Sequence, residues 1–396
     1  MQIKPVAGNP APGLILRGNH QLQTTHARIG GELGNGLPFV FVESSDAAWD
    51  NTGLISVDGW LSVSSGSLAS DSIFVGDEVG SVGLFTVGST ECVACIFGDP
   101  GEVWIGYNGI GSLELTDQAA LFATQLRVIG GASGSSGSVL IDSGVWSAPF
   151  GNSGDLIVAD VGQGELTIQN DGVVQARNIM LGRVPGSVGS ATITGQLEAL
   201  QDLGVGLSGT GTMTVIDGDV TADSLTLGLL PGSSGTLSLS DSALSVNGPV
   251  CVGAAGTGSL TLASGAILLP LDTLSSFPDL FIAASGGQAS GLMITDDSAV
   301  AANNVTVGAQ DNGIATSTGQ FIIRNGASVV ASSVTIAIGS QLVTNGATLA
   351  APTPSPSPKS GGSKGANSLL VTNRGEWSSG DSPGMLTIEG DLVHEG

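Results

Sequence analysis

Three aspartates, Asp217, Asp219 and Asp223, lie within seven residues of one another in the segment TVIDGDVTADS (214–224). Closely spaced carboxyl groups can act as the acid and base, or acid and nucleophile, of an enzyme that cleaves glycosidic bonds. A lyase usually also sets a cation against the carboxylates of its substrate, and the few arginines of this chain are dispersed. These aspartates are the candidate catalytic group, and a chain without catalytic residues is the alternative that the sequence favours.

Aspartate or asparagine also recurs just after a short apolar segment, at Asp117, Asp142, Asn170, Asp217, Asp241, Asp296, Asn325, Asn345 and Asn373. Such side chains start tight turns by bonding the local backbone, and neighbouring ones can share amide hydrogen bonds. Alternatively, stacked carboxylates could bind Ca²⁺, with Asp117, Asp142, Asp217, Asp241 and Asp296 as candidate ligands. The sequence favours the structural interpretation, because the glycine/aspartate nonapeptide of calcium-binding repeats is absent.

Aromatic side chains are scarce, with five tryptophans and one tyrosine in 396 residues. Trp104 and Tyr107 are close in sequence, and Trp146 follows further along the chain. Their rings could form a platform that stacks on sugar rings. Packing beneath a loop is the alternative interpretation, and the sequence favours it.

Two short motifs match known sites without the elements that those sites need. GVGLSG (204–209) fits G-x-G-x-x-G, but a dinucleotide site requires a helix at that point, and TGTMTVIDG follows with a strand pattern. GDSPG (380–384) places Ser382 in G-x-S-x-G, but MLTIEG after it also predicts a strand. Both segments are predicted to be turns.

Histidine and cysteine do not form a metal-binding pattern. His20, His26 and His394 lack the fixed spacing of a zinc site, and Cys92 and Cys95 have no second pair of ligands. Cys92 and Cys95 are expected to form a local disulfide or to remain thiols, and no mate is evident for Cys251.

A degenerate repeat of about 25 residues runs from Leu14 to beyond Leu369. Typical copies are LTIQNDGVVQARNIMLG (166–182) and MTVIDGDVTADSLTLG (213–228). Each has an apolar-x-apolar opening, an Asp/Asn/Ser-Gly turn and an apolar-x-apolar-Gly close. Alternation at this period predicts short strands. We therefore interpret TDQAALFATQLRV (116–128) as strand, although it resembles a helix in isolation.

Three short strands cannot bury a core alone, but stacked coils can. The sequence predicts an all-β, right-handed parallel β-helix of about 15 coils, forming a rod on the order of 70 Å long. Residues 1–13 are the expected lead-in or cap, 14–350 the β-helix, 351–366 a Pro/Ser/Gly-rich loop or linker, and 367–396 terminal coils that we expect to be truncated. Two antiparallel sandwiches in series are the competing architecture.

Charge excludes several function classes. The chain has 10 basic and 34 acidic side chains and a formal net charge of −24. Nucleic-acid binding needs cations that displace counterions from phosphate, and attachment to anionic membranes needs basic patches. No apolar segment is long enough to span a bilayer, and the N-terminal segment lacks the apolar core of a signal peptide. Neither nucleic acid nor a membrane is an expected partner.

The segment NRGEWSSGDSPGMLTIEGDL (373–392) resembles the G-x-x-x-P-G-x-L-x-I-x-G-x-L units of bacterial autotransporter passengers, and upstream units such as LTIQNDG and GSSGTLSLSDS resemble the same group of secreted β-strand-repeat proteins. The resemblance covers nearly the whole chain from about residue 14. It implies a parallel β-helix exported to the cell surface, often for adhesion or display. No C-terminal translocator barrel is present in this sequence, so autotransport itself is not implied.

From these observations we expect an extracellular or cell-surface scaffold without catalytic activity. Its expected partner is a glycan or protein on the surface of a host or a neighbouring cell. No cofactor is expected beyond the calcium considered above. A polysaccharide-cleaving enzyme on the same fold, or a subunit of an extracellular filament or layer that associates end to end, are the alternatives.

Overall fold

The computed structural model of the chain describes residues 2–3, 13–30, 37–88, 101–123, 125–147, 154–271, 277–284, 289–311, 314–337, 339–350, 370–373, 376–378 and 392–394. Within these ranges all regular structure is β-strand and no helix occurs. The chain divides into two compact units. The first comprises residues 1–201 and 209–212, and the second comprises residues 202–208 and 213–396.

The first unit contains eighteen strands: β1 Gln2–Ile3, β2 Gly13–Leu16, β3 Gln21–Thr24, β4 Ala27–Ile29, β5 Phe39–Val57, β6 Trp60–Val75, β7 Val82–Val87, β8 Glu102–Ile105, β9 Ile110–Leu115, β10 Ala120–Phe122, β11 Leu126–Ile129, β12 Ser136–Asp142, β13 Val145–Ser147, β14 Asp155–Val158, β15 Gln163–Gln169, β16 Val173–Ala176, β17 Ile179–Leu181 and β18 Val188–Ile193 among the described residues. Strands β19 (Gln196–Val205) and β20 (Thr210–Ile216) contribute residues to both units.

The second unit continues with strands of the same kind: β21 Asp219–Leu227, β22 Ser234–Ser240, β23 Ala243–Val246, β24 Val250–Val252, β25 Thr257–Ala263, β26 Ile267–Leu269, β27 Leu280–Ile282, β28 Ser290–Asp296, β29 Ala299–Val307, β30 Ala309–Asp311, β31 Ile314–Arg324, β32 Ser328–Ile336, β33 Gln341–Asn345, β34 Thr348–Ala350, β35 Leu370–Asn373, β36 Glu376–Ser378 and β37 Leu392–His394.

A regular turn of the chain runs through three strands, as in β15, β16 and β17, whereas β5 alone forms a turn and pairs with β2, β3 and β4. In the first unit β15 pairs in parallel with β12, β16 pairs with β13, and β17 pairs with β14. In the second unit β22, β23 and β24 pair in the same way with β25, β26 and β27. We call the three resulting parallel sheets the first, second and third faces, in chain order. The predicted all-β parallel solenoid is therefore confirmed.

The core is built by strand alternation, since every second side chain of a strand points inward. In the first unit Val139 stacks on Leu166 in register, and in the second Leu237 stacks on Leu260. Each of these four side chains is at most 2% exposed. Adjacent coils therefore share one continuous apolar interior within each unit.

Glycine closes most third-face strands, where the next coil passes close to the backbone; alanine takes this position after β14 and β27, at Ala159 and Ala283. Gly228 follows β21 with φ +65°, and a Cβ there would lie 2.2 Å from the carbonyl oxygen of Thr257. Gly235, at the start of β22, would place a Cβ 2.0 Å from the carbonyl oxygen of Val205. These contacts explain why the repeat ends in apolar-x-apolar-Gly and resumes with Ser-Gly or Thr-Gly.

About 12 turns carry the three-strand pattern, fewer than the 15 predicted. Residues 89–100 lie outside the described residues, and β7 and β8 are the strands described in that coil. The prediction for 116–128 is confirmed, because the segment forms β10 and enters β11. An antiparallel pairing of β30 with β31 was not predicted.

The predicted domain limits fall partly outside the described residues. The loop predicted at 351–366 lies there entirely, as do residues 4–12 of the expected lead-in. The lead-in nevertheless contains β1, and its Gln2 and Ile3 pair in parallel with Arg28 and Ile29 of β4. Parallel pairing thus begins before residue 14.

Candidate functional site: outward aromatic clusters

The corner between the first and second faces holds the Asp/Asn ladder. Asn170 donates from Nδ2 to Oδ1 of Asp142 on the preceding coil at 2.8 Å. Asn325 likewise donates to Oδ1 of Asp296 at 2.7 Å, while Arg324 Nε donates to its other carboxylate oxygen at 2.9 Å. Neighbouring coils therefore share amide hydrogen bonds at this corner, as the structural interpretation proposed.

Backbone conformation gives a second reason for the residue types at this corner. Asp117, Asn170, Asp217, Asp241 and Asn325 all have φ between 50° and 54°. Asp and Asn tolerate this left-handed region better than other residues that carry a Cβ. The corner thus requires these residues for its geometry, independently of any ligand.

The five calcium candidates are separate steps of this ladder. Asp142 and Asp296 accept amide or guanidinium hydrogen bonds, while Asp117, Asp217 and Asp241 stand exposed at their turns. Among the described residues, no three His, Cys, Asp or Glu side chains are grouped closely enough to hold a metal ion.

The three candidate catalytic aspartates are spread along one coil. Asp217 is at the corner, Asp219 begins β21, and Asp223 follows the second-face stretch of that strand, with all three exposed. Four residues of extended chain place the Cα atoms of Asp219 and Asp223 roughly 13 Å apart. The Asp219 and Asp223 side chains therefore start from opposite ends of the second-face stretch of β21.

The arginines of the described residues are already engaged. Five form ion pairs with carboxylates: Arg17 with Glu43, Arg28 with Asp58 and Glu78, Arg177 with Asp155, Arg183 with Asp160, and Arg324 with Asp296. The sixth, Arg127, is fully buried. The described surface therefore lacks an arginine that is free to face the carboxylates of an acidic substrate.

Trp104 and Tyr107 lie on the outer side of the third face and its corner. Their ring centroids are 5.1 Å apart at an interplanar angle of 81°. Phe74, in register with Trp104 on the adjacent coil, adds a third ring whose centroid is 4.8 Å from that of Tyr107. All three side chains are partly exposed, and we call them the third-face aromatic cluster.

This cluster also carries polar groups. The indole of Trp104 donates to the Glu102 carboxylate at 3.1 Å, and the Asn108 amide donates to the carbonyl of Asp77 at 2.9 Å. Glu102 lies two residues before Trp104, on the same side of β8. Rings flanked by hydrogen-bonding groups are the usual composition of a surface that binds sugars or other amphipathic ligands.

Trp146, the third residue of the predicted platform, does not belong to it. Its side chain is 0% exposed and points into the core from β13. The platform hypothesis is therefore wrong for Trp146, because the short segment VWS does not indicate which side of its strand faces outward.

A second aromatic cluster, which sequence analysis missed, lies on the first face. Phe39 and Phe41 alternate with the buried Val40 on β5, and the Phe41 ring contacts Trp60 edge to face at 4.7 Å. The centroids of Phe39 and Phe41 are also 4.7 Å apart, and Trp60 is 38% exposed. The alternation FVFV was the available signal. We call Phe39, Phe41 and Trp60 the first-face aromatic cluster.

Neighbouring coils extend the first-face aromatic cluster. Ile15, 41% exposed, is in register with Phe41, and Leu84 is in register with Trp60. The Phe39 ring covers Gly13, where any Cβ would clash with it. The indole nitrogen of Trp60 donates to Thr86 Oγ1 at 3.2 Å. An apolar band thus crosses four successive coils of this face.

An acidic corner lies between the third and first faces of the same unit. Asp58, only 6% exposed, accepts hydrogen bonds from the backbone amides of Asp77 and Glu78 and from Arg28. Burial raises the pKa of the neighbouring Asp77 carboxyl, although the hydroxyl of Ser56 donates to it at 2.7 Å. This corner holds three successive coils together and has the bonding of a structural site.

A shallow groove on the second face is lined by Leu22, Gln23, Thr24, Thr25, Asp50 and Thr52. Asp50 is the only carboxylate among these residues. The groove therefore presents hydroxyl and amide groups without a second acid that could serve as a catalytic partner.

The glycine motif, the histidines and Cys251 do not form a further site among the described residues. The GVGLSG segment forms the end of β19 and the turn before β20, with Gly206 at φ +68°, which confirms the turn prediction. His20 and His26 are exposed, and Cys251 is a half-buried free thiol whose pKa is raised by burial. Cys92, Cys95 and the GDSPG segment lie outside the described residues, as does the side chain of His394.

A search of the described residues finds no helix long and apolar enough to span a membrane. Comparison of the chain with protein-family models, curated proteins and solved structures gives no match.

Proposed function

We propose that the protein is a non-catalytic, extracellular or cell-surface scaffold that adheres to neutral glycans through its two aromatic clusters. The observation that carries this proposal is the packing of partly exposed rings at outward positions, both within a coil and between adjacent coils, at centroid distances of 4.7–5.1 Å. Other strands can hold only small polar residues at their outward positions, as in β22, whose half-buried positions are Ser234, Thr236, Ser238 and Ser240. The solenoid does not need aromatic rings there.

The chemistry of the surface favours a neutral glycan. Aromatic faces stack on the apolar faces of sugar rings, and Glu102 and Asn108 beside Trp104 can hydrogen-bond sugar hydroxyls. A net charge of −24 repels acidic polysaccharides, phosphates and anionic membranes. The paired arginines cannot offset that repulsion without breaking their ion pairs.

The resemblance of the repeat to autotransporter passengers and the scarcity of lysine are compatible with a secreted adhesin. The chain belongs, in this proposal, to the group of β-solenoids whose coils provide length and whose outward side chains provide recognition. An enzyme would require a convergent acid pair, and a filament subunit would require end-to-end association.

The proposal is tested by measuring retention of the purified chain on a panel of insoluble neutral and acidic polysaccharides, with release of reducing and unsaturated ends monitored in parallel. We expect retention on at least one neutral polysaccharide without cleavage. Phe41→Ser should reduce retention severalfold, whereas the control Val188→Ser, at an outward residue that is 48% exposed on the same face, should not. Cleavage would support the enzyme, and no retention on any glycan would overturn the adhesion proposal.

A further inference from the structure

Arg127 occupies a position that its neighbours fill with apolar side chains. On the third face it is in register with Val103 on one side and Leu156 on the other, both fully buried. The Arg127 side chain is itself 0% exposed. A guanidinium group therefore lies inside the solenoid, where the repeat otherwise places Val, Leu or Ile.

Backbone carbonyls accept hydrogen bonds from the two terminal nitrogens of the guanidinium group but not from Nε. Nη1 donates to the carbonyl of Gln175 at 2.7 Å and weakly to that of Trp146 at 3.4 Å, and Nη2 donates to the carbonyl of Gly154 at 3.0 Å. Arg127 Nε and Trp146 Nε1 are buried and have no acceptor among the described residues. The guanidinium carbon lies over the Trp146 ring, 5.7 Å from its centroid, so the two side chains that carry these donors are in contact.

Among the described residues no carboxylate forms an ion pair with this guanidinium, and its charge faces the Trp146 ring instead. Burial lowers the pKa of Arg127 to about 10, so the group is still charged at neutral pH. Asp155 is the one carboxylate whose charge offsets this effect, but it accepts hydrogen bonds from Arg177 and Asn178 and is partly exposed. An isolated buried cation is costly unless a counter-charge reaches it.

We propose that Arg127 Nε and Trp146 Nε1 bind a small monovalent anion, of the size of chloride, inside the first unit. An anion meets both requirements at once, since it accepts from two N–H donors and neutralises the guanidinium. A water molecule could accept the same hydrogen bonds but would leave the charge uncompensated. The site would link three successive coils, because Arg127 already contacts carbonyls of the two coils that follow its own.

The test is thermal unfolding of the full chain in sodium chloride and sodium bromide against sodium gluconate at equal ionic strength. A bound halide stabilises the folded chain by mass action, so Tm should rise by several degrees with chloride and bromide. In a crystal grown with bromide, anomalous scattering should place one ion between the two donors. A Tm that is the same in all three salts, or a water molecule at that position, would overturn the proposal.

Variants separate a specific site from a general salt effect. Arg127→Leu, which introduces the residue found at the equivalent position 156, should lose the halide response. Arg177→Leu removes an exposed cation of the same unit and should keep the response. If Arg127→Leu does not fold, Trp146→Phe removes a single donor and should weaken the halide midpoint about tenfold. A halide response unchanged in Arg127→Leu or in Trp146→Phe would refute the site.

Discussion

The two units share one coil plan but differ in what departs from it. In the second unit the inward residues Leu225, Val250 and Leu280 of the third face form an uninterrupted apolar stack, each 0% exposed. The first unit interrupts the corresponding stack with Arg127 and carries aromatic clusters on two outer faces. The comparison shows that the repeat specifies the scaffold alone, and that the residues which violate its pattern indicate where specific interactions lie.

The largest expected effect comes from introducing an inward arginine, like Arg127 of the first unit, into the third-face stack of the second unit. Val250→Arg would bury a cation in the second unit without the carbonyls that surround Arg127. We expect a loss of about 4 kcal/mol or more in the free energy of unfolding, or failure to fold. Urea denaturation of the variant and the wild type measures this difference in unfolding free energy. A variant as stable as the wild type would show that any coil accepts an inward arginine, and the comparison would fail.

Glycine at the closing corner gives the next largest effect. In Gly228→Ala the new Cβ meets the Thr257 carbonyl and also requires φ +65°, so we expect a loss of about 3 kcal/mol. Gly232 is the matched control in the same connector, with φ +83° and no atom within 4 Å. Gly232→Ala should lose about 1 kcal/mol, which is the conformational penalty alone.

Equal losses from the two glycine variants in urea denaturation would contradict the claim that close stacking of coils, and not backbone conformation alone, disfavours a side chain at position 228.

The corner ladder should behave alike in both units. Asp142→Ala removes the acceptor of Asn170, and Asp296→Ala removes that of Asn325 and Arg324. We expect each to lose about 1 kcal/mol of unfolding free energy, because each removes partly exposed hydrogen bonds. Asp219→Ala, at an exposed position at the start of β21, is the control and should change stability by about 0.5 kcal/mol or less.

Calcium distinguishes the two interpretations of this ladder. If Asp142 and Asp296 act as turn residues, addition of calcium or of a chelator should leave the Tm unchanged. A rise in Tm with calcium that is lost in Asp142→Ala would establish the cation interpretation instead.

The smallest expected effect concerns Asp77, whose pKa is raised mainly by burial. A carboxyl with a raised pKa in the folded state favours its protonated form there, so the folded chain gains stability as the pH falls through that raised pKa. Asp77→Asn keeps an acceptor for Ser56 and removes the buried charge. Its Tm should equal or exceed that of the wild type at neutral pH, with the difference shrinking toward about pH 4.

A Tm difference between Asp77→Asn and wild type that grows as the pH falls would contradict this sign. It would mean that the ionised carboxylate stabilises the corner.

Much of the fold follows from the sequence because strand alternation and corner residues are local signals. The sequence alone shows the period of about 25 residues, the Gly that closes most units and the Asp/Asn corner. Segment 116–128 was assigned correctly because its repeat context outweighed its local helical pattern. Coil number was overestimated because degenerate copies cannot be aligned reliably where connectors vary in length.

Which residues meet across coils was harder to predict, because it depends on register. Trp60 reaches Phe41 only because β5 and β6 pair with Phe39 opposite Trp60, and the connector between these strands sets that pairing. Arg127 lies two residues before the inward Ile129, so strand alternation predicts that its side chain also points inward. Charged side chains are rarely buried, however, and this preference opposes that prediction. The inward position of Trp146 could not be predicted, because a strand of three residues is too short to show alternation.

The central claim is that outward aromatic rings of the first unit, and not the repeat itself, bind the ligand. The most direct measurement compares the binding isotherm of the double variant Trp60→Ser/Trp104→Ser on a retained neutral polysaccharide with that of Ile216→Ser, which alters an exposed apolar residue outside both clusters. The account predicts at least about tenfold weaker binding for the double variant and no change for Ile216→Ser. Wild-type affinity in a folded double variant would contradict it.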